Sequence, residues 1–184
     1  MRVPGHARWV LVLGLIVVVV LIPLSLQRSL AYNNFDNPPC FWPYTPGVKK
    51  VLYWKYQGYV YERWARAYSA SVGDWNSATN RVGYAYSTSA TNRLGMYVAA
   101  DNRSGYTVWY CSGTTMLRFD AYVNDYYTGT DNWRRSVTGH ELGHGISLGH
   151  STVSPSLMGP NPDPQVYYKP QPDDIDGVND RFRW

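Results

Sequence analysis

Residues 140–150, HELGHGISLGH, hold His140, His144 and His150, the three histidines that follow the N-terminal leader; the fourth, His6, lies inside it. Two histidines four positions apart on a helix project from one face, one turn apart. That suits a tetrahedral metal at about 2.0–2.1 Å from each ring nitrogen. Glu141 stands beside the first, where a carboxylate can take a proton from metal-bound water, the established chemistry of H-E-x-x-H. His150 can return to the same ion only if the helix stops soon after His144, and Gly145 and Gly149 offer that stop. Taken alone, the short motif also fits an ordinary amphipathic turn. Histidines satisfied inside a core have no reason to gather in one string while the rest of the domain has none, so the string reads as a zinc site.

Upstream, Arg2, His6 and Arg8 precede an apolar run over residues 9–22 that ends at Pro23. The run is short for a bilayer core of about 30 Å, and Ser29, Leu30 and Ala31 place small residues where a signal peptidase cuts. Residues 1–31 therefore read as a signal peptide cleaved after Ala31, and residues 32–184 as the mature domain. Extending the apolar stretch through Leu26 brings it near spanning length, so a membrane anchor over residues 9–26 is the alternative. Either way the domain lies outside the cytoplasm, secreted to the extracellular space or held on the outer face of the plasma membrane. Only an uncleaved N-terminal segment would touch the membrane.

Removing residues 1–31 from the 184 leaves 153, a normal size for a single domain with its own core, read here as a monomer. The formal charge of +4 belongs mostly to the leader: Arg2, Arg8 and Arg28 precede the first acid, Asp36. A domain so close to neutral gives no electrostatic case for nucleic acid. Cys40 and Cys111 both fall in the exported part, where oxidising conditions favour a disulfide between them. The competing arrangement puts the Cys40 thiolate on the zinc as an inhibitory plug and leaves Cys111 unpaired.

Residues 32–50 read as an irregular arm rich in Pro, Asn and aromatic residues, and residues 50–57 as a strand. Val60, Trp64, Tyr68, Val72 and Trp75 then recur every three to four residues, predicting an amphipathic helix that ends near Asn76. Aromatic and β-branched runs at 82–86, 94–98, 106–111 and 116–124 predict strands of one sheet. The abundance of Tyr and Trp could mark a sugar-binding platform, but half-buried strands prefer the same residues, and that reading is favoured. Asp131 is the expected N-cap of a second helix carrying Trp133, Val137, His140 and His144 down one face. Pro172 and Asp173 precede Ile175, Val178 and Phe182, the spacing of a short closing helix.

HELGHGISLGH, followed by SPSLMGP at 154–160 and QPDDIDGVNDRF at 171–182, resembles the metzincin zinc endopeptidases, and the matrixins most closely. The resemblance runs over most of residues 50–184. It implies an α+β catalytic domain: a twisted, mostly parallel sheet with an edge strand, two long helices and a short C-terminal helix. It makes His140, His144 and His150 the ligands of one catalytic Zn2+, Glu141 the general base, and Met158 part of the tight turn under the metal. Trp75 and Asn76 correspond to the end of the first helix, and Asp173 and Asp174 to the start of the last. It further implies a peptide or protein substrate lying along a sheet edge, with residues 159–168 walling one side of the specificity pocket.

The sequence departs from the matrixin pattern in three ways. Ser147 stands where the family has a glycine, seven positions after the first histidine, at the turn out of the helix. A left-handed serine costs on the order of 1 kcal/mol, so the turn either bears that strain or moves to Gly145 or Gly149. No further histidine is present to build the second, structural zinc of the vertebrate members. The exported chain also leaves no room for their large propeptide. A calcium ion is compatible with the sequence, but nothing in it calls for one. Two other functions fit the same string: a zinc-stabilised binding module or inactive protease homologue at the cell surface, and a zinc hydrolase of a non-peptide bond. A purely structural zinc normally takes four protein ligands, whereas this string supplies three and keeps the glutamate, which favours an endopeptidase.

Overall fold

The aromatic and β-branched runs assemble into one five-stranded sheet. The computed structural model describes residues 40–159 and 163–183; the leader over 1–31 and residues 32–39 of the arm lie outside the described residues. The elements in chain order are β1 (Lys50–Tyr56), α1 (Glu62–Ala78), β2 (Val82–Tyr86), β3 (Asn92–Tyr97), β4 (Gly105–Ser112), β5 (Thr115–Asn124), α2 (Asp131–Gly145) and α3 (Pro172–Arg181). The sheet order is β2-β1-β3-β5-β4, with β4 the antiparallel edge strand and the other pairings parallel. This is the expected α+β architecture: a mostly parallel sheet, two long helices and a short one at the C-terminus. No helix among the described residues is long and apolar enough to cross a membrane.

The period-2 rule sets which side chains face the helices. In β1, Leu52 and Trp54 are buried while Val51 and Tyr53 are exposed. On the helix side, Trp64, Ala67, Tyr68, Ser71 and Trp75 form the buried stripe of α1. The packing of α1 on α2 includes buried polar contacts. Ser71 Oγ lies 2.7 Å from Thr138 Oγ1 and donates to the Arg135 carbonyl at 2.9 Å, and the Trp75 indole donates to the Gly139 carbonyl at 2.9 Å.

Element ends fall within about two residues of the sequence reading, and two of the differences have a clear local reason. The N-cap of α2 is Thr130 and not Asp131: the Thr130 hydroxyl accepts from the Trp133 amide at 3.1 Å, while Asp131 is the first helical residue and pairs with Arg134. β3 starts at Asn92, before Leu94, because the buried Asn92 amide serves the sheet itself. It donates to the Tyr53 carbonyl at 2.8 Å and accepts from the Phe119 amide at 3.0 Å, joining β1 to β5.

Cys40 and Cys111 form the expected disulfide, with Cα atoms 6.0 Å apart. With its sulfur in that bond, Cys40 cannot act as a plug on the histidines, and that alternative falls. The bridge pins the chain segment at 40–42 alongside the β4–β5 hairpin, where the Phe41 amide donates to the Thr114 carbonyl and the Met116 amide to the Phe41 carbonyl, both at 2.8 Å. The bridged cysteines are 71 positions apart. Replacing both, as Cys40→Ala with Cys111→Ala, is expected to lower stability by about 4 kcal/mol, the chain-entropy value for so long a loop. Urea unfolding of oxidised wild type beside the double variant measures it.

Candidate metal centre

The site is built on the last turn of α2 and on how that turn ends. Ile146 caps the helix and Ser147 follows with φ of 68°, the left-handed conformation that the missing glycine would have supplied without strain. The Ser147 amide donates to the His144 carbonyl at 2.9 Å and the Leu148 amide to the Gly143 carbonyl at 3.1 Å. Together these are the paired bonds of a Schellman motif. Of the positions open in sequence, the turn is therefore on Ser147.

The reversal brings His150 back to the helix. The ring centroids of His140 and His144 are 4.6 Å apart, those of His140 and His150 5.2 Å, and those of His144 and His150 5.0 Å. One ligating atom from each lies within 4.8 Å of the others. His140 Nδ1 is 2.8 Å from the Leu157 carbonyl and His144 Nδ1 is 2.9 Å from the Leu148 carbonyl. A carbonyl only accepts, so Nδ1 carries the hydrogen in both rings and Nε2 keeps its lone pair. Burial holds His140 down to about 4 and His144 well below its ordinary value, so both stay neutral, the form a metal ion takes. Three imidazole nitrogens with two tautomers fixed, and no fourth protein donor among the described residues, fit zinc with one position left open.

Glu141, which faces β4, is 5% exposed, and its Oε2 accepts from the Thr107 hydroxyl at 2.8 Å. Burial pushes its carboxyl up to about 8, with the Thr107 bond opposing. A divalent cation on the histidines would favour the ionised form. A cleft of about 450 Å³ opens beside His140 and Glu141, lined also by Trp133, Val137, Arg103 and Gly159. Residues 160–162 of the expected pocket wall at 159–168 lie outside the described residues.

Met158 is buried, and its sulfur lies so close over Gly143 of α2 that any β-carbon there would overlap it. The turn carrying it is organised by Asp174, which accepts from the Leu157 amide at 2.8 Å, the Met158 amide at 3.0 Å and the Ser156 hydroxyl at 2.6 Å. The Leu157 carbonyl receives the His140 Nδ1 hydrogen, so Asp174 acts on a histidine at one remove. The sequence reading placed Asp174 at a helix start and missed this second role; a buried acid there shows no distinct sequence signal. Nor did it anticipate the donors that meet the carbonyls of α2. These are Trp42 on Gly145 at 2.8 Å, Tyr84 on Leu142 at 2.5 Å and Trp109 on His144 at 3.0 Å.

Residues 67–183 match the Matrixin family. No curated protein matches the chain.

Ser147→Gly is expected to stabilise the protein by up to about 1 kcal/mol. The relief of left-handed strain exceeds the loss of a weak hydroxyl contact to the Met116 sulfur at 4.0 Å. Denaturant midpoints of the two proteins check it. The raised Glu141 carboxyl gives a second expectation. Its neutral form is the one the metal-free fold favours, so its contribution is complete below the ordinary value of 4.5 and is lost as pH rises toward about 8. Metal-free Glu141→Gln should therefore gain on metal-free wild type across that window, as melting temperatures at a series of pH values would show.

Proposed function

The chain belongs to the matrixin family, and we propose that it is a zinc-dependent endopeptidase working outside the cytoplasm, exported by residues 1–31. The observation that carries this reading is a set of three convergent imidazoles beside a buried glutamate at the mouth of a cleft. Those residues give a metal one open position, and they put the Glu141 carboxyl, held at Oε2 by the Thr107 hydroxyl, next to it. Protein substrates follow from the family. Retention of residues 9–26 as an anchor is the alternative to release.

In this reading His140, His144 and His150 hold the zinc, which when bound polarises the scissile carbonyl and lowers the pKa of a water to about 7. Glu141, beside His140, would take a proton from a water at the open position. It then passes the proton to the leaving amine. The Nδ1 bonds to Leu157 and Leu148 orient the first two imidazoles, and the Met158 turn supports the helix beneath them. A peptide laid along the exposed edge of β4 would run past Glu141, with one side chain entering the cleft by Trp133 and Val137. The departure that favours an inactive homologue, serine in a glycine position, loses its force because both Schellman bonds form with serine in place.

Ligation and catalysis are expected to separate. His144→Ala should lose zinc, activity and stability together, since a ligand is gone. Glu141→Ala keeps all three ligands and should hold zinc near one equivalent while losing at least about 10²–10⁴-fold in peptide hydrolysis. Metal content by mass spectrometry beside cleavage of a quenched peptide library reads both. Zinc-loaded wild type that cuts nothing Glu141→Ala spares would replace the protease by a zinc-stabilised binding module.

A further inference from the structure

The edge strand β4 meets α2 through alternate residues. Gly105, Thr107 and Trp109 fall on one face of the strand. Each addresses a different group of the helix. A β-carbon at Gly105 would stand 2.8 Å from Glu141 Oε1 and 2.8 Å from the Tyr122 carbonyl, so only glycine leaves room for the carboxylate there. The Thr107 hydroxyl reaches Glu141 Oε2 at 2.8 Å and the Glu141 carbonyl at 3.0 Å. The Trp109 indole donates to the His144 carbonyl at 3.0 Å. The strand thus touches the helix at the glutamate, at its backbone and at a histidine, in register.

We propose that Thr107 is a positioning residue for Glu141: its hydroxyl holds Oε2 so that Oε1, over Gly105, is the oxygen presented to the reacting water. Two observations support this division of labour. Oε2 has the Thr107 hydroxyl as a close partner, whereas Oε1 lies against a residue that offers neither side-chain donor nor acceptor. The single hydroxyl hydrogen of Thr107 also has both its acceptors on Glu141. A glutamate with three side-chain torsions, facing a cleft, would otherwise spread over several rotamers, and misplacement by about 1 Å can cost on the order of 100-fold in rate.

The kinetic part of the proposal rests on the endopeptidase reading; the geometric part does not. Thr107→Val keeps the shape and β-branching of the strand residue and removes the hydroxyl. It is expected to retain one equivalent of zinc, lower kcat on the order of 10- to 100-fold and leave KM within about threefold, with Thr107→Ser restoring most of kcat. In a crystal structure of the metal-free Thr107→Val protein, the Glu141 carboxylate should leave its wild-type position or occupy more than one rotamer. A carboxylate unmoved in that structure overturns the proposal, as does unchanged kcat, or equal losses in Thr107→Ser and Thr107→Val. Loss of zinc from Thr107→Val also overturns it, since Thr107 would then be a tether for the helix. If valine cannot be accommodated, Thr107→Ala is read the same way. Should wild type cleave nothing, the endopeptidase reading fails, and the crystallographic comparison still decides whether Thr107 holds the carboxylate.

Discussion

The α2 helix has to stop within a turn of His144, because His150 must come back to meet it. A helix that stops inside a core leaves its last carbonyls without partners, at a cost of about 1–3 kcal/mol for each one buried and unsatisfied. Here four consecutive carbonyls are met. Leu142 receives the Tyr84 hydroxyl, Gly143 the Leu148 amide, His144 the Ser147 amide and the Trp109 indole, and Gly145 the Trp42 indole. The two amides belong to the turn itself, and the three side-chain donors come from β2, from β4 and from the segment beside the disulfide, so three separate parts of the chain converge on one helix end. Much of the remaining fold can be understood as the framework that delivers them.

This convergence also explains the composition. Tyrosine and tryptophan carry a large apolar body and one polar hydrogen, which lets them fill a core and still satisfy a buried carbonyl. Trp42, Trp75 and Tyr84 do both: each is buried and each donates to a backbone oxygen of α2. A leucine or phenylalanine in their place would fill the volume and leave the oxygen bare. The sugar-binding alternative considered for these residues is thus unnecessary for the buried ones, whose rings and donors are occupied within the domain.

The zinc string, the alternation of the strands and the α1 stripe were legible because each is written in adjacent or periodic positions. The sheet's mostly parallel character and its edge strand came from resemblance to the matrixins, since strand order depends on crossovers that local pattern does not encode. Thr107, Trp109 and Asp174 were not legible as site residues. Each acts on α2 or on the turn at 156–158 from far along the chain, and a threonine in a strand or an aspartate at a helix start already has a sufficient local explanation. The Thr130 and Asp131 pair shows the limit at its finest. Both are good N-caps, and which one takes the role depends on a single hydrogen bond to the Trp133 amide.

Ser147 shows how such a framework tolerates a locally unfavourable residue. Left-handed serine costs on the order of 1 kcal/mol, yet the motif it completes supplies two backbone bonds and places the Leu148 carbonyl on His144 Nδ1. Moving the reversal to Gly145 would relieve the strain but unwind the turn next to His144. It would also remove the Gly145 carbonyl from its present place under Trp42. Moving it to Gly149 would lengthen the helix past the point where Leu148 can reach His144 and leave a single residue before His150. Each alternative exchanges one strained torsion for several lost hydrogen bonds around His144, each worth about as much as the strain. The backbone therefore accepts serine in the left-handed region because the position of the turn is fixed by the histidines and not by the local preference of the residue that makes it.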